Sequence, residues 1–125
     1  MSGVGLTEAL EGYSFAYLLT VSEQGRAHSV AVQPVLRDGV LHLAGVGTRS
    51  RTNATERPWV SLVWPPTDFE GYSLIVDGEA TTSGDAVSVA PTRAVFHRPH
   101  DHATHGKGGA SCGSDCRPVD LALDA

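Results

Sequence analysis

The residues best suited to chemistry lie together between Gly47 and Val60, in the run GTRSRTNATERPWV. The run follows an apolar, strand-like segment, Val40 to Ala44. It reads as a short helix that ends at Pro58, because proline has no N–H to donate and clashes with the preceding turn. A glycine, hydroxyls and two arginines at a strand-to-helix junction are what a phosphate monoester requires. Backbone N–H groups at a helix start are unpaired and carry partial positive charge. Thr48 and Ser50 add hydroxyl donors, and Arg49 and Arg51 add permanent charge. Charge-assisted hydrogen bonds are worth roughly 1.5–3 kcal/mol each, so a few of them anchor a phosphorylated ligand. The same residues also suit an ordinary capped, solvated helix start. The elements around them decide between the two.

Composition narrows the choice. A chain of 125 residues is long enough for one domain with a real core. A net charge of -5 with a single lysine speaks against a nucleic-acid binder, which needs a broad basic face. The arginines gather near Gly47 to Arg57, so the positive charge is local and suits a small anion. Residues Met1 to Tyr13 lack a basic region followed by a long apolar run, and no segment reaches the length of a membrane span. The expectation is a soluble cytoplasmic protein that binds a small molecule and neither a membrane nor nucleic acid. Cys112 and Cys116 are too few and too close together to form the disulfide framework of a secreted scaffold.

The positioning elements are mostly strands. After one helical turn, Thr7 to Glu11 with Thr7 as cap, Phe15 to Val21 reads as a strand and Ser22 to Arg26 as a hairpin turn through Gly25. His28 to Leu36 alternates with period two. Arg37-Asp38-Gly39 turns the chain sharply into Val40 to Ala44. Beyond the central run, Trp59 to Trp64 is a strand stopped by Pro65 and Pro66. Tyr72 to Ser83 turns at Gly84-Asp85 into Ala86 to His97, with a bend near Pro91. The pattern predicts a mainly β chain: a six-stranded antiparallel β-barrel with one or two short helices, over residues 1–98. Residues 99–125 read as an irregular tail with His and Cys.

Other chemistry finds less support. His97, His100, His102 and His105, followed by Cys112 and Cys116, are of metal-ligating type. Their spacing matches no regular finger, and the expectation is a solvated tail without a specific metal. No serine sits in a Gly-x-Ser-x-Gly elbow, and no dinucleotide or P-loop fingerprint is present. No catalytic acid or base is identified, so redox chemistry, if present, belongs to a cofactor.

From Phe15 to about His97 the order of elements resembles the pyridoxamine 5'-phosphate oxidase-like, FMN-binding split-barrel family. In that family a Gly-Ser-Arg-Lys run after the third strand grips the FMN phosphate, and Asn and Pro-x-Val follow at fixed distance. Here Gly47, Thr48, Arg49 and Ser50 occupy the run, and Asn53, Pro58 and Val60 fall in register. Ser50 stands where lysine is common, and Arg51 is the neighbouring charge. The resemblance implies that Ser29, Val30, Ala31, Val32 and Gln33 line the flavin ring, although Val30 and Val32 also suit plain core packing. It gives Gly78 and Ala80 a structural role in tight barrel packing, and leaves Trp64 and Tyr72 to the core, the cofactor or a dimer interface.

The cofactor-binding set is thus Ser29, Val30, Ala31, Val32, Gln33, Thr48, Arg49, Ser50 and Arg51. The implied protein is a homodimeric FMN-dependent oxidoreductase acting on a small molecule. The chain lacks the family's extra C-terminal segment that binds pyridoxamine 5'-phosphate, so that molecule is not the expected substrate. A deazaflavin (F420) reductase and a non-catalytic flavin or haem binder are the alternatives.

Overall fold

Alternating side chains become one antiparallel sheet wrapped around an apolar core. The computed structural model of the chain describes residues 3–99 and 114–124. Its strands are β1 (Ala16–Val21), β2 (Ala27–Val32), β3 (Val35–Arg37), β4 (Val40–Leu43), β5 (Trp59–Trp64), β6 (Ser73–Ser83), β7 (Ala86–Pro99) and β8 (Ser114–Pro118). Helix α1 (Leu6–Leu10) precedes them, α2 (Thr48–Glu56) joins β4 to β5, and a short 3-10 helix occupies Leu121–Asp124. The sheet order is β2-β1-β5-β6-β7-β4-β3, with β8 added to β7. Leu18, Leu41, Leu43, Leu62, Leu74, Val76, Val87 and Val89 are wholly buried between its walls. Each such side chain contributes roughly 1.5–3 kcal/mol by leaving water.

The split barrel is present, with eight strands where the sequence pattern suggests six. One difference lies at Pro34. The expected strand His28 to Leu36 is two strands, because proline cannot donate to a ladder; the chain leaves the sheet there, and β2 and β3 end up at opposite edges. The turn at Asp38-Gly39 forms as expected: φ is 55° at Asp38 and 78° at Gly39, the left-handed geometry of a tight hairpin. Across from Pro91 the β6–β7 register shifts between Asp77 and Gly78. This bulge divides β7 into a half that pairs with β4 and a half that pairs with β8. A Cβ at Gly78 would lie 2.5 Å from the Ala90 carbonyl oxygen, which explains the glycine.

The second difference is the tail. Ser114–Pro118 form β8 and Leu121–Asp124 a short 3-10 helix where the sequence suggests an irregular extension; 100–113 lie outside the described residues. Polar contacts hold β8 in place. The Tyr72 hydroxyl donates to Asp115 at 2.8 Å, Arg98 and Arg117 lie over the Tyr72 ring, and Arg98 bonds Asp115 at 3.0 Å. The Tyr72 bond, helped by both arginines, holds the Asp115 carboxyl below its ordinary range.

Farther on, Asp124 caps α1. Its carboxylate accepts the N–H groups of Leu6 and Thr7 and the Thr7 hydroxyl. Thr7 is therefore not the cap; Gly5 occupies that position, and the capping oxygen comes from the far end of the chain. Among the described residues no helix is long and apolar enough to cross a membrane.

Candidate functional site

Helix α2 begins without a side-chain cap, since Gly47 has none to offer. The first intrahelical bond is from Arg51 N–H to the Gly47 carbonyl. The N–H groups of Thr48, Arg49 and Ser50 thus have no acceptor within the helix, and the partial positive charge of this end is uncompensated. Inside, Asn53 is buried and donates from Nδ2 to Thr20 Oγ1 at 3.1 Å, which ties α2 to β1.

The charged and hydroxyl side chains of this helix then diverge. Arg49 is exposed, and its guanidinium is in no ion pair among the described residues. Arg51 is fully engaged: Nε donates to the Val46 carbonyl at 2.8 Å, Nη1 to the Gly84 carbonyl at 3.1 Å and Nη2 to Thr48 Oγ1 at 3.1 Å. It clamps the loop before α2 to the β6–β7 turn. Ser50 is 1% exposed, so its hydroxyl points into the protein and only its backbone N–H is at the helix start. Thr48 is exposed and, while accepting from Arg51, keeps its own O–H to donate.

Arg49 faces the β1–β2 hairpin across a cleft of ≈ 480 Å³ that Arg26, His28, Thr52 and Arg57 also line. Arg57 is held there by a 3.0 Å bond to the Val21 carbonyl and a 2.9 Å pair with Glu56. Three arginines against Glu23 and Glu56 leave the cleft net positive. Strand β2 runs from this cleft, at Ala27 and His28, to a second depression of ≈ 640 Å³ bordered by Phe15, Ala31, Val32, Gln33 and Gly45. Among the described residues β2 pairs only with β1, which leaves its other edge without a neighbouring strand there. Ser29, Ala31 and Gln33 are exposed, whereas Val30 and Val32 are half-buried against the core.

In the single chain, therefore, the nine residues singled out from the sequence do not share one cavity. Arg49 lines the first depression, Ala31, Val32 and Gln33 line the second, and Ser50 and Arg51 turn inward.

No protein-family model matches the chain. Two curated relatives, uncharacterized protein Mb0449c of Mycobacterium bovis and uncharacterized protein MT0457 of Mycobacterium tuberculosis, are each 42% identical over 129 residues, covering 89% of this chain and 89% of theirs. Among solved structures, a protein related to general stress protein 26 from Clostridium acetobutylicum, of the pyridoxinephosphate oxidase family, superposes with TM-score 0.62 at 13% identity over 90% of this chain and 91% of that one. An F420 reductase gives 0.56 at 18% identity, over 68% and 91%. A heme binding protein from Mycobacterium smegmatis gives 0.57 at 14% identity, over 86% and 53%. The chain belongs to the family of the two mycobacterial proteins, and its fold is the pyridoxamine 5'-phosphate oxidase-like split barrel.

In this split barrel, Arg26, His28 and Arg57 were not among the residues chosen from sequence, yet they border the cleft of Arg49. Arg57 carried a signal, since it lies within the arginine-rich run. Arg26 and His28 gave none, because only the hairpin fold brings them opposite α2.

Proposed function

We propose that this split barrel binds FMN and acts as a flavin-dependent oxidoreductase in a cytoplasmic homodimer. The observation that carries the reading is the exposed Arg49 guanidinium, in no ion pair among the described residues, beside the uncapped first turn of α2. The donors suit a phosphate monoester: backbone N–H groups, the Thr48 hydroxyl and a permanent charge, all at one helix start. Arg51 positions this end by holding Val46 and Gly84. The open edge of β2 offers unpaired backbone N–H and C=O groups to the polar rim of a planar ring, and the short side chains of Ser29 and Ala31 let the ring approach. When bound, FMN supplies hydride transfer through its N5. The protein's part is to anchor, to orient and to shape the space for a small substrate.

A second chain completes the site. Tyr17 and Trp59 are 41% and 64% exposed, and Val21 is exposed with them. Tyr17 is registered with Ala31 of the open-edged β2 on one side and Val63 on the other. A partner covering this apolar face would also close over β2 and join the two depressions into one enclosed pocket.

A second reading, a deazaflavin reductase, draws on Arg26 and Arg57, which extend the positive cleft beyond what one phosphate needs and suit a longer anionic tail. Titrating FMN and F420 in parallel against the purified dimer separates the two. Tighter binding of FMN supports the first reading, and tighter binding of F420 replaces it with the second.

A further inference from the structure

Arg26 on the β1–β2 hairpin and Arg49 on α2 line the same cleft of ≈ 480 Å³. Neither guanidinium is in an ion pair among the described residues, although the chain carries 14 acidic residues against 9 basic ones. Arg49, Thr52, Asn53, Glu56 and Arg57 recur at helical spacing, so one polar stripe of α2, ending in its C-cap residue, forms a wall. Arg57 is fixed at the far end. Its Nε donates to the Val21 carbonyl at 3.0 Å and its Nη2 to Glu56 at 2.9 Å, and neither bond uses Nη1. A helix rises about 1.5 Å per residue, so Arg49 and Arg57 stand about 12 Å apart along the axis. The cleft therefore runs past the helix start to a second cationic end.

We propose that Arg26 and Arg57 form a second anion subsite, distinct from the helix start, for the phosphate of a nucleoside monophosphate unit. The subsite shares the cleft with the flavin phosphate anchor and does not depend on the flavin. Guanidiniums carry permanent charge on a planar fork of donors that matches phosphate oxygens. Glu23, in no ion pair among the described residues, stands on the lining as an acceptor for sugar hydroxyls. His28 is the one aromatic ring on the lining, and the base stacks there. The volume is within the range of small-ligand sites. Three strands and α2 separate Arg26 from Arg57 in sequence, and the hairpin lying against the helix brings them to one cleft.

The test is a calorimetric titration of the full chain with adenosine 5'-monophosphate, with and without saturating FMN, which reads no activity. The expected result is saturable binding that adenosine, lacking the phosphate, does not reproduce and that FMN does not compete away. Arg26→Ala is expected to weaken it by about tenfold or more while changing FMN affinity by less than about threefold. The hydrogen bond of Arg26 to Ser22 Oγ is through its backbone N–H, so this variant keeps the hairpin and its melting temperature. FAD separates two sources of the nucleotide. Binding about tenfold tighter than FMN, lost in Arg26→Ala, assigns the subsite to the adenylate half of a dinucleotide, and equal affinities assign it to a free nucleotide. Absence of adenosine 5'-monophosphate binding, binding that Arg26→Ala leaves unchanged, or competition by FMN would each overturn the proposal. A protein that binds this nucleotide through Arg26 and no flavin would keep the subsite and remove the flavin reading instead.

Discussion

Replacing Arg49 and Arg51 separately by alanine should produce opposite phenotypes, although the two residues are nearly adjacent and carry the same charge. Arg49 is exposed and in no ion pair among the described residues, so its loss should change folding stability by less than about 0.5 kcal/mol. It removes one charge-assisted phosphate contact, worth roughly 1.5–3 kcal/mol, or about 10- to 150-fold in Kd. Solvent screening at an exposed helix start places the expected loss near the low end, about tenfold. Arg51 makes three hydrogen bonds, two of them to backbone carbonyls on different loops. Discounted for its partial exposure, their loss should destabilise by about 1–2 kcal/mol, or about 4–8 °C in melting temperature for a chain of this length. The assay pairs a thermal melt with an FMN fluorescence titration at a temperature where both variants are folded. Wild-type FMN affinity in folded Arg49→Ala would refute the phosphate anchor. An unchanged melting temperature in Arg51→Ala would refute the clamp.

Three further outcomes follow from the fold. Gly78→Ala should lower stability in urea by about 3 kcal/mol, because the added Cβ meets the Ala90 carbonyl oxygen at 2.5 Å and backbone cannot yield as a side chain would; a loss under about 0.5 kcal/mol would contradict this. Asp124→Ala should cost about 1 kcal/mol at neutral pH by uncapping α1. The Thr7 hydroxyl bond, with the Thr7 and Leu6 N–H groups, holds the Asp124 carboxyl below its ordinary value of 3.8. The stabilisation is therefore full above that value and lost as pH falls through the lower folded one, so the melting temperatures of wild type and variant should converge in acid. Tyr17→Arg, on the exposed apolar face, should convert a species of twice the 13.1 kDa chain mass into a monomer with weakened FMN binding, as read by light scattering; an intact dimer would remove that face from the interface.

Local chemistry made much of the fold legible. Asp38-Gly39 and Gly84-Asp85 are read correctly because positive φ selects a few residue types, and alternation reveals most of the barrel strands. Pro34 sits inside an alternating run whose side chains fit one strand, so the break there is hidden. Strand β8, SDCRP, has no apolar alternation to detect; its hold on the barrel comes from Asp115 meeting Tyr72 and Arg98. The α1 cap is not legible locally because the capping group, Asp124, lies 118 positions from Leu6.

At the site, the arginine-rich run was visible, but the division of labour within it was not. Successive residues on a helix point about 100° apart, so Arg49, Ser50 and Arg51 face solvent, core and loop in turn. Only the Val46 and Gly84 carbonyls show where Arg51 goes.

The most direct measurement is the absorbance spectrum of freshly purified protein, followed by titration of the stripped protein with FMN. Bound flavin in the spectrum, or a Kd of about micromolar or tighter, is the predicted result. A colourless protein that fails to bind FMN while remaining folded and dimeric would contradict the flavoprotein reading, leaving the split barrel standing without it.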